Sequence, residues 1–283
     1  MSKPTATAAG QPSLNSMAAL IDKVAAKRPL VHNITNFVAM DISANVLLAA
    51  GASPAMVSAI EEVAEFAALA DALVVNIGTL SQTSLDAMLL AAKTARALGK
   101  PWVLDPVGVG ATTFRSSAAA ALLAHRPSII RGNASEIMAL AAIAGVGGEA
   151  ARSRGVDSGN TTGEAEQAAM ALARMQGCTV AATGEIDFVT DGGRSARIAG
   201  GSALMSAVTG IGCALSALCA AFAAVERDAF AAACAALITY SIAGEMAGEH
   251  CEGPGSFRMV FLDMLAVVGH EEFMLKADVR PCV

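Results

Sequence analysis

Two rhythms of apolar residues alternate along the chain. Short apolar runs at 30–34 (LVHNI), 52–57, 72–77 (ALVVNI), 102–104, 128–131 and 179–182 predict strands. Between them, apolar residues spaced three and four apart predict helices over 17–27, 37–50, 60–70, 85–98, 116–125, 134–144 and 164–175. Asn15 and Ser16 are candidate N-caps of the first, Arg28-Pro29 ends it, and Gly51 and Gly99 close two others. Pro54 makes 52–57 an edge strand or a strand end, because proline cannot donate to a ladder. Strands alternating with helices at this spacing mean βαβ units with right-handed crossovers, and so an α/β fold with a mostly parallel central sheet and helices on both faces. A hairpin over 186–199 follows, turned by Asp191-Gly192-Gly193. Two Ala-rich helices come next, over 212–225 and 229–248, then a GPGS loop, a helix over 257–268 and a tail. Residues 1–16 read as a disordered N-terminal tail and 17–283 as one domain; the Gly- and charge-rich stretch 145–163 reads as a mobile excursion within it.

Composition narrows the class. The 283 residues are 54% hydrophobic but 4% aromatic, and alanine supplies much of the difference, which suits closely packed helices. A net charge of −6 argues against a nucleic-acid surface. The mean hydropathy of +0.54 raises the question of a membrane. No charge occurs between Arg197 and Glu226, yet that stretch is built from small residues and broken by the turn at 209–212. The next uncharged run, 229–244, falls short of the roughly 20 residues a span needs. Buried helices, and no membrane, are therefore expected. The six cysteines lie in the second half of the chain, with no CxxC and no zinc spacing, and read as the reduced thiols of a cytoplasmic protein.

The hexapeptide VTGIGC, 208–213, opens the first Ala-rich helix. Gly210 and Gly212 permit a tight turn with bare N–H groups, and a helix starting near Gly212 aims its unpaired amides and positive dipole end at whatever occupies that turn. An anion fits there. The same field is expected to ionise the Cys213 thiol more readily than a free cysteine, making it a candidate base or nucleophile. The turn reads as the phosphoryl-transfer centre of a small-molecule kinase, although Gly-x-Gly before a helix also occurs as plain packing.

Ligands of a doubly wound sheet bind at the carboxyl ends of its strands, and here those positions are polar or glycine. They include Asn33 and Asn36; Gly78 and Thr79; Asp105 and Gly108; Arg131, Asn133 and Glu136; Thr183, Gly184 and Glu185. Two carboxylates, an arginine, several amides and a dipole-bearing turn suit a nucleotide triphosphate, its metal and an alcohol acceptor. The rival structural roles are a turn residue before Pro106 for Asp105 and a first-turn helix carboxylate beside Asn133 for Glu136. Methionines such as Met56 are core fillers by default. No GxxxxGK[ST] occurs and no lysine lies between Lys100 and Lys276; the GVGA at 108–111 lacks a dinucleotide fingerprint, and no HRD or DFG set is present.

VHNITN (31–36), GASPAM (51–56), NIGTL (76–80), LDPVGVGAT (104–112), RGNASEI (131–137), TGEIDFVTDG (183–192), VTGIGC (208–213) and GPGSF (253–257) stand in the order and spacing of the hydroxyethylthiazole kinase family, which the chain resembles from about residue 17 to 268. The resemblance implies a ribokinase-like αβα sandwich, ATP and Mg2+, and phosphorylation of the hydroxyethyl group of 4-methyl-5-(2-hydroxyethyl)thiazole in thiamin salvage. It implies a homotrimer with active sites between subunits. By position, Met56 and Gly210 match thiazole contacts and Asn36 a place near the ring. Arg131 and Thr183 match ATP contacts, and Asp105 and Glu136 the carboxylates that hold magnesium, directly or through water. Cys213 matches the position beside the substrate hydroxyl, and the amides of Gly210 to Gly212 would take the migrating phosphoryl. Ile211 and Ala182 depart slightly from the family pattern.

Other readings stay open at this point. A related kinase could act on a pyrimidine alcohol, a Cys213-dependent hydrolase or transferase could draw on His32 or His250, and a non-catalytic binding protein could use the same scaffold. A covalent adduct without ATP would favour the second, and tight nucleotide binding without ADP release the third.

Overall fold

The computed structural model describes residues 10–146 and 162–281. Strands β1 (Leu30–Ile34), β2 (Ser53–Ala55), β3 (Ala72–Asn76), β4 (Trp102–Asp105), β5 (Ile129–Asn133), β6 (Thr179–Thr183), β7 (Asp187–Thr190), β8 (Ser195–Ala199) and β9 (Asp278–Pro281) form one sheet in the order β2-β1-β3-β4-β5-β6-β7-β8-β9. The six strands from β2 to β6 are parallel, and the last three pair antiparallel. The helices are α1 (Leu14–Lys27), α2 (Met40–Ala49), α3 (Val63–Leu69), α4 (Gln82–Ala97), α5 (Thr113–Leu123), α6 (Ala134–Ile143) and α7 (Thr162–Gln176). After the hairpin come α8 (Ile211–Ala223), α9 (Ala229–Gly248), α10 (Pro254–Val267) and α11 (His270–Lys276).

Successive strand side chains point to opposite faces, so each strand feeds two cores. Val74, Val103, Ile129 and Ala181 join α1, α2, α8, α9 and α10 on one face. Their neighbours Val75, Leu104, Ile130 and Ala182 join α3 to α7 on the other. Both faces being covered explains why β3 is buried at every position. The expected edge strand with Pro54 is β2, at one rim of the sheet.

Several expectations are corrected. The first helix begins at Leu14 with Ser13 as N-cap, its hydroxyl accepting from the Ser16 N–H, so residues 14–16 are helical and not part of a disordered tail. Residues 1–9 and most of the 145–163 excursion lie outside the described residues. The helix expected from 37 starts at Met40, because the Asn36 side chain and carbonyl both accept the Ala39 N–H and hold 37–39 as a turn. The C-terminal tail instead forms α11 and β9. Helix α9 is a full 20 residues and apolar enough to cross a membrane by length and composition, but 78% of that window is buried within the protein.

The tail's anchor is Phe273, which is fully buried in the α1/α9/α10 core. Phe273→Ala is expected to lower the unfolding free energy by about 3–5 kcal/mol in urea titrations, the cost of a lost aromatic plus its cavity; a loss below about 1 kcal/mol would show α11 to be only loosely docked.

Candidate active site

The turn that opens α8 stands where close packing demands glycine. Gly210 is the N-cap at φ +83°, and a Cβ there would lie 2.8 Å from Ile42 Cγ2 and 3.3 Å from Ala39 Cα, so α2 presses directly on it. A Cβ on Gly212 would meet Nη1 of Arg131 at 3.2 Å. The guanidinium of Arg131 therefore rests against the first helical turn, whose Gly212 and Cys213 N–H groups have no partner among the described residues. The buried Tyr240 hydroxyl donates to the Ile211 carbonyl at 2.7 Å and ties this turn to α9.

Two groups of side chains flank the turn. On one side a cavity of about 800 Å³ is lined by Arg131, Thr183, Asp187, Ser202, Gly212 and Ser241, among others. Arg131 Nη2 donates to Thr183 Oγ1 at 2.6 Å, and the Thr183 hydroxyl reaches the Gly132 carbonyl. On the other side Asn36 Nδ2 donates to Cys213 Sγ at 3.3 Å and to Asn76 Oδ1 at 2.9 Å. Asp105 lies between them: its Oδ2 accepts from the Ser216 hydroxyl at 2.8 Å and stands 3.9 Å from Arg131 Nη1, while its buried Oδ1 has no partner.

Glu136 behaves as a cap, its Oε1 accepting the Gly108 N–H and its Oε2 the Asn133 N–H, each at 2.9 Å. It thereby ties the loop after β4 to the start of α6. Met56 stands apart: it follows edge strand β2, one residue beyond the Ala55–His32 pair, and is half-buried. The structure thus brings together Gly210, Gly212, Cys213, Asn36, Arg131, Thr183 and Asp105, keeps Glu136 at the rim, and leaves Met56 on a neighbouring strand end.

Electrostatics correct one expectation. Burial, followed by the Asp105 charge, pushes the Cys213 thiol above its ordinary value, outweighing the lowering by the Asn36 hydrogen bond, by the nearby Asn76 amide and by Arg131. The helix start does not make it an unusually acidic thiol. Burial also pushes Asp105 up to about 6, opposed by Arg131 and reinforced by Glu136; Asp187, likewise buried, rises to about 6 against its hydrogen bond from Gly184. His32 is far from a Cys–His arrangement. It packs edge-on against Phe66 of α3, on the sheet face opposite α8, with Nε2 2.8 Å from the Val57 carbonyl, and burial lowers its pKa.

Comparison with known proteins decides the family. The hydroxyethylthiazole kinase family profile matches residues 21–271. The chain belongs to the hydroxyethylthiazole kinase family. A hydroxyethylthiazole kinase of Rhizobium etli is 56% identical over 261 residues, covering 92% of this chain and 99% of that protein, and one of Cereibacter sphaeroides is 52% identical over 251 residues, 89% and 93%. The solved hydroxyethylthiazole kinase of Pyrococcus horikoshii superposes with a TM-score of 0.86 at 42% identity, over 94% of this chain and 99% of that one. A Staphylococcus aureus pyridoxal kinase in complex with ADP shares the fold alone, with a TM-score of 0.59 at 15% identity over 77% and 88%. As a member of that family the protein is a phosphotransferase, and its fold is ribokinase-like.

Asn76, Ser216, Asp187, Tyr240 and Arg115 were not singled out by sequence reasoning. Arg115 donates to the Ile77, Gly78 and Val107 carbonyls at 2.6–2.8 Å and clamps the loops after β3 and β4 together. The one signal available was polarity at the end of an apolar run, as in ALVVN.

Two measurements test the electrostatics. Because the folded state holds the Asp105 proton more tightly than the unfolded chain, its contribution to stability is full below about pH 4 and is lost as pH rises through about 6. Metal-free Asp105→Asn should therefore gain stability relative to wild type between those limits, and a flat difference across urea titrations would contradict the burial argument. Peptide-resolved iodoacetamide labelling should reach its half-maximal rate at Cys213 at a higher pH than for a free cysteine.

Proposed function

We propose that the protein transfers the terminal phosphoryl group of ATP to the hydroxyethyl oxygen of 4-methyl-5-(2-hydroxyethyl)thiazole, acting as a single kinase domain in the cytoplasm. The observation that carries this reading is the position of the α8 turn, with the Arg131/Thr183 cavity on one side and the Asn36/Cys213 group on the other. Phosphoryl transfer needs an in-line acceptor and neutralised charge more than covalent help. Arg131 would balance the nucleotide phosphates and Thr183 hydrogen-bond them. The free Gly212 and Cys213 amides, at the positive end of α8, would receive the migrating group. Cys213, protonated at neutral pH by the argument above, would touch the acceptor hydroxyl and guide its proton late in the transfer rather than remove it at the outset. Asn36 and Met56 would contact the ring.

Magnesium fits the donors present as an ion held by one or two carboxylates and otherwise by phosphate and water. Among the described residues no group of three or more His, Cys, Asp or Glu could hold a metal. The unpartnered Oδ1 of Asp105 is an open acceptor, and Glu136 has spare lone pairs beyond its two N–H partners. One or two carboxylates with phosphate and water suit Mg2+, which supplies neutralisation of phosphate charge when bound. A homotrimer with shared sites agrees with the apolar surface beside Asn36, where Phe37 is 79% and Val38 60% exposed.

ADP release should depend on the thiazole alcohol and on magnesium, and be far slower with hydroxymethylpyrimidine; the reverse preference would reassign the substrate. Gly210→Ala, which drives a methyl into Ile42 and forces a left-handed backbone, is expected to lower kcat by about 100-fold, the scale of a lost oxyanion donor. Cys213→Ser should cost less, about tenfold. A dead Cys213→Ser enzyme that still binds both substrates would restore the thiol to the role of base.

A further inference from the structure

The transfer scheme leaves one buried amide unused. Asn76 ends β3 and is fully buried. Its Oδ1 accepts two N–H groups, from Asn36 Nδ2 and from the Gly78 backbone, both at 2.9 Å. With the oxygen so engaged the amide has one orientation, and its NH2 faces the other way, where Nδ2 finds no hydrogen-bond partner. An unpaired buried donor is costly, so its placement calls for a reason. The strand register sets Asn76 beside Asp105, whose Oδ1 is also buried and unpartnered.

Asn36 is constrained to match. Its Oδ1 accepts the Ala39 N–H at 2.9 Å, which leaves its two N–H bonds for Asn76 Oδ1 and Cys213 Sγ. The loop after β3 is pressed against it, since a Cβ on Gly78 would lie 2.7 Å from Asn36 Nδ2, and Arg115 holds that loop by the Ile77 and Gly78 carbonyls. Asn36 thus has no other orientation that satisfies its amide while Asn76 stays in place.

We propose that Asn76 is a positioning residue for phosphoryl transfer: it orients Asn36 so that an N–H meets Cys213, and keeps its own NH2 toward Asp105, fixing the acceptor-side thiol relative to the phosphate-side carboxylate. The inference rests on the reading of Cys213 and Asn36 as the acceptor side. Asn76 acts through its neighbours and need not touch either substrate.

Steady-state kinetics of Asn76→Leu, Asn76→Asp, Asn36→Ala and the Asn36→Ala/Asn76→Leu double variant test it in the full-length protein, beside thermal unfolding and a crystal structure of Asn76→Leu. The leucine removes both hydrogen-bonding functions at similar volume and should lower kcat about 100-fold, the scale of a misplaced reacting group, with KM for ATP unchanged. Asn76→Asp, which keeps an acceptor for Asn36 and Gly78, should recover part of the loss. The double variant should be no slower than the slower single, because the two residues act through one hydrogen bond. In the crystal, Asn36 Nδ2 should have left Cys213 Sγ. Wild-type kcat in Asn76→Leu, an additive double variant with ATP affinity lost in step, or an unmoved Asn36 would each overturn the proposal. Should the leucine variant not fold, Asn76→Ser carries the same comparisons. Failure of wild-type enzyme to release ADP with the thiazole alcohol would instead strike the functional reading, while the Asn36 geometry would still decide this one.

Discussion

Burying one guanidinium sets the terms for the whole site. Arg131 sits in the middle of β5 with its Nε unpartnered, and taking such a charge out of water is expensive unless opposite charge surrounds it. Asp105, Asp187 and Glu136 supply that charge. The supply is not lavish, since Asp105 and Asp187 are themselves buried enough to be pushed up to about 6 despite the arginine. At neutral pH both are still largely ionised, so they balance the guanidinium through the field of several carboxylates rather than through one close contact. The nearest ion pair is accordingly long, 3.9 Å, and the short bond goes to the Thr183 hydroxyl.

Backbone proximity is the second constraint, and it explains the glycines better than flexibility does. Gly210 yields to α2 and Gly212 to Arg131, so two different neighbours exclude side chains from the same turn. Alanine plays the corresponding role one layer out. Helix α8 is buried at every position from Ala214 to Ala223, and the small residues there let it pack against α2, α9 and the sheet together.

Much of this was legible in the chain and some was not, for identifiable reasons. The parallel strands were legible because ALVVNI and WVL are long enough in apolar residues to be buried on both faces. The anion turn was legible because only glycine tolerates its backbone. Arg131, Thr183 and Asp105 owed their assignment to a family resemblance, and the geometry places them together without assigning their roles. The acidity of Cys213 was misread, because a helix start is visible in sequence whereas depth of burial and a carboxylate from β4 are not. Helix α11 was missed since HEEFMLK carries one buried side chain, too few for a period. Asn76 meets Asn36 from 40 residues away and Arg115 meets Ile77 from 38, contacts that no local pattern records.

The two rims of the sheet end alike. At one, β2 is three residues long and centred on Pro54; at the other, β9 closes with Pro281 beside the alternating charges of Asp278 and Arg280. A proline offers no N–H to a newcomer, and a short charged strand is a poor template for continuing a ladder. Growth of the ribbon from molecule to molecule is thereby discouraged at both ends. Association through helices and loops is accordingly favoured over edge-to-edge strand pairing, the route that leads to fibrils.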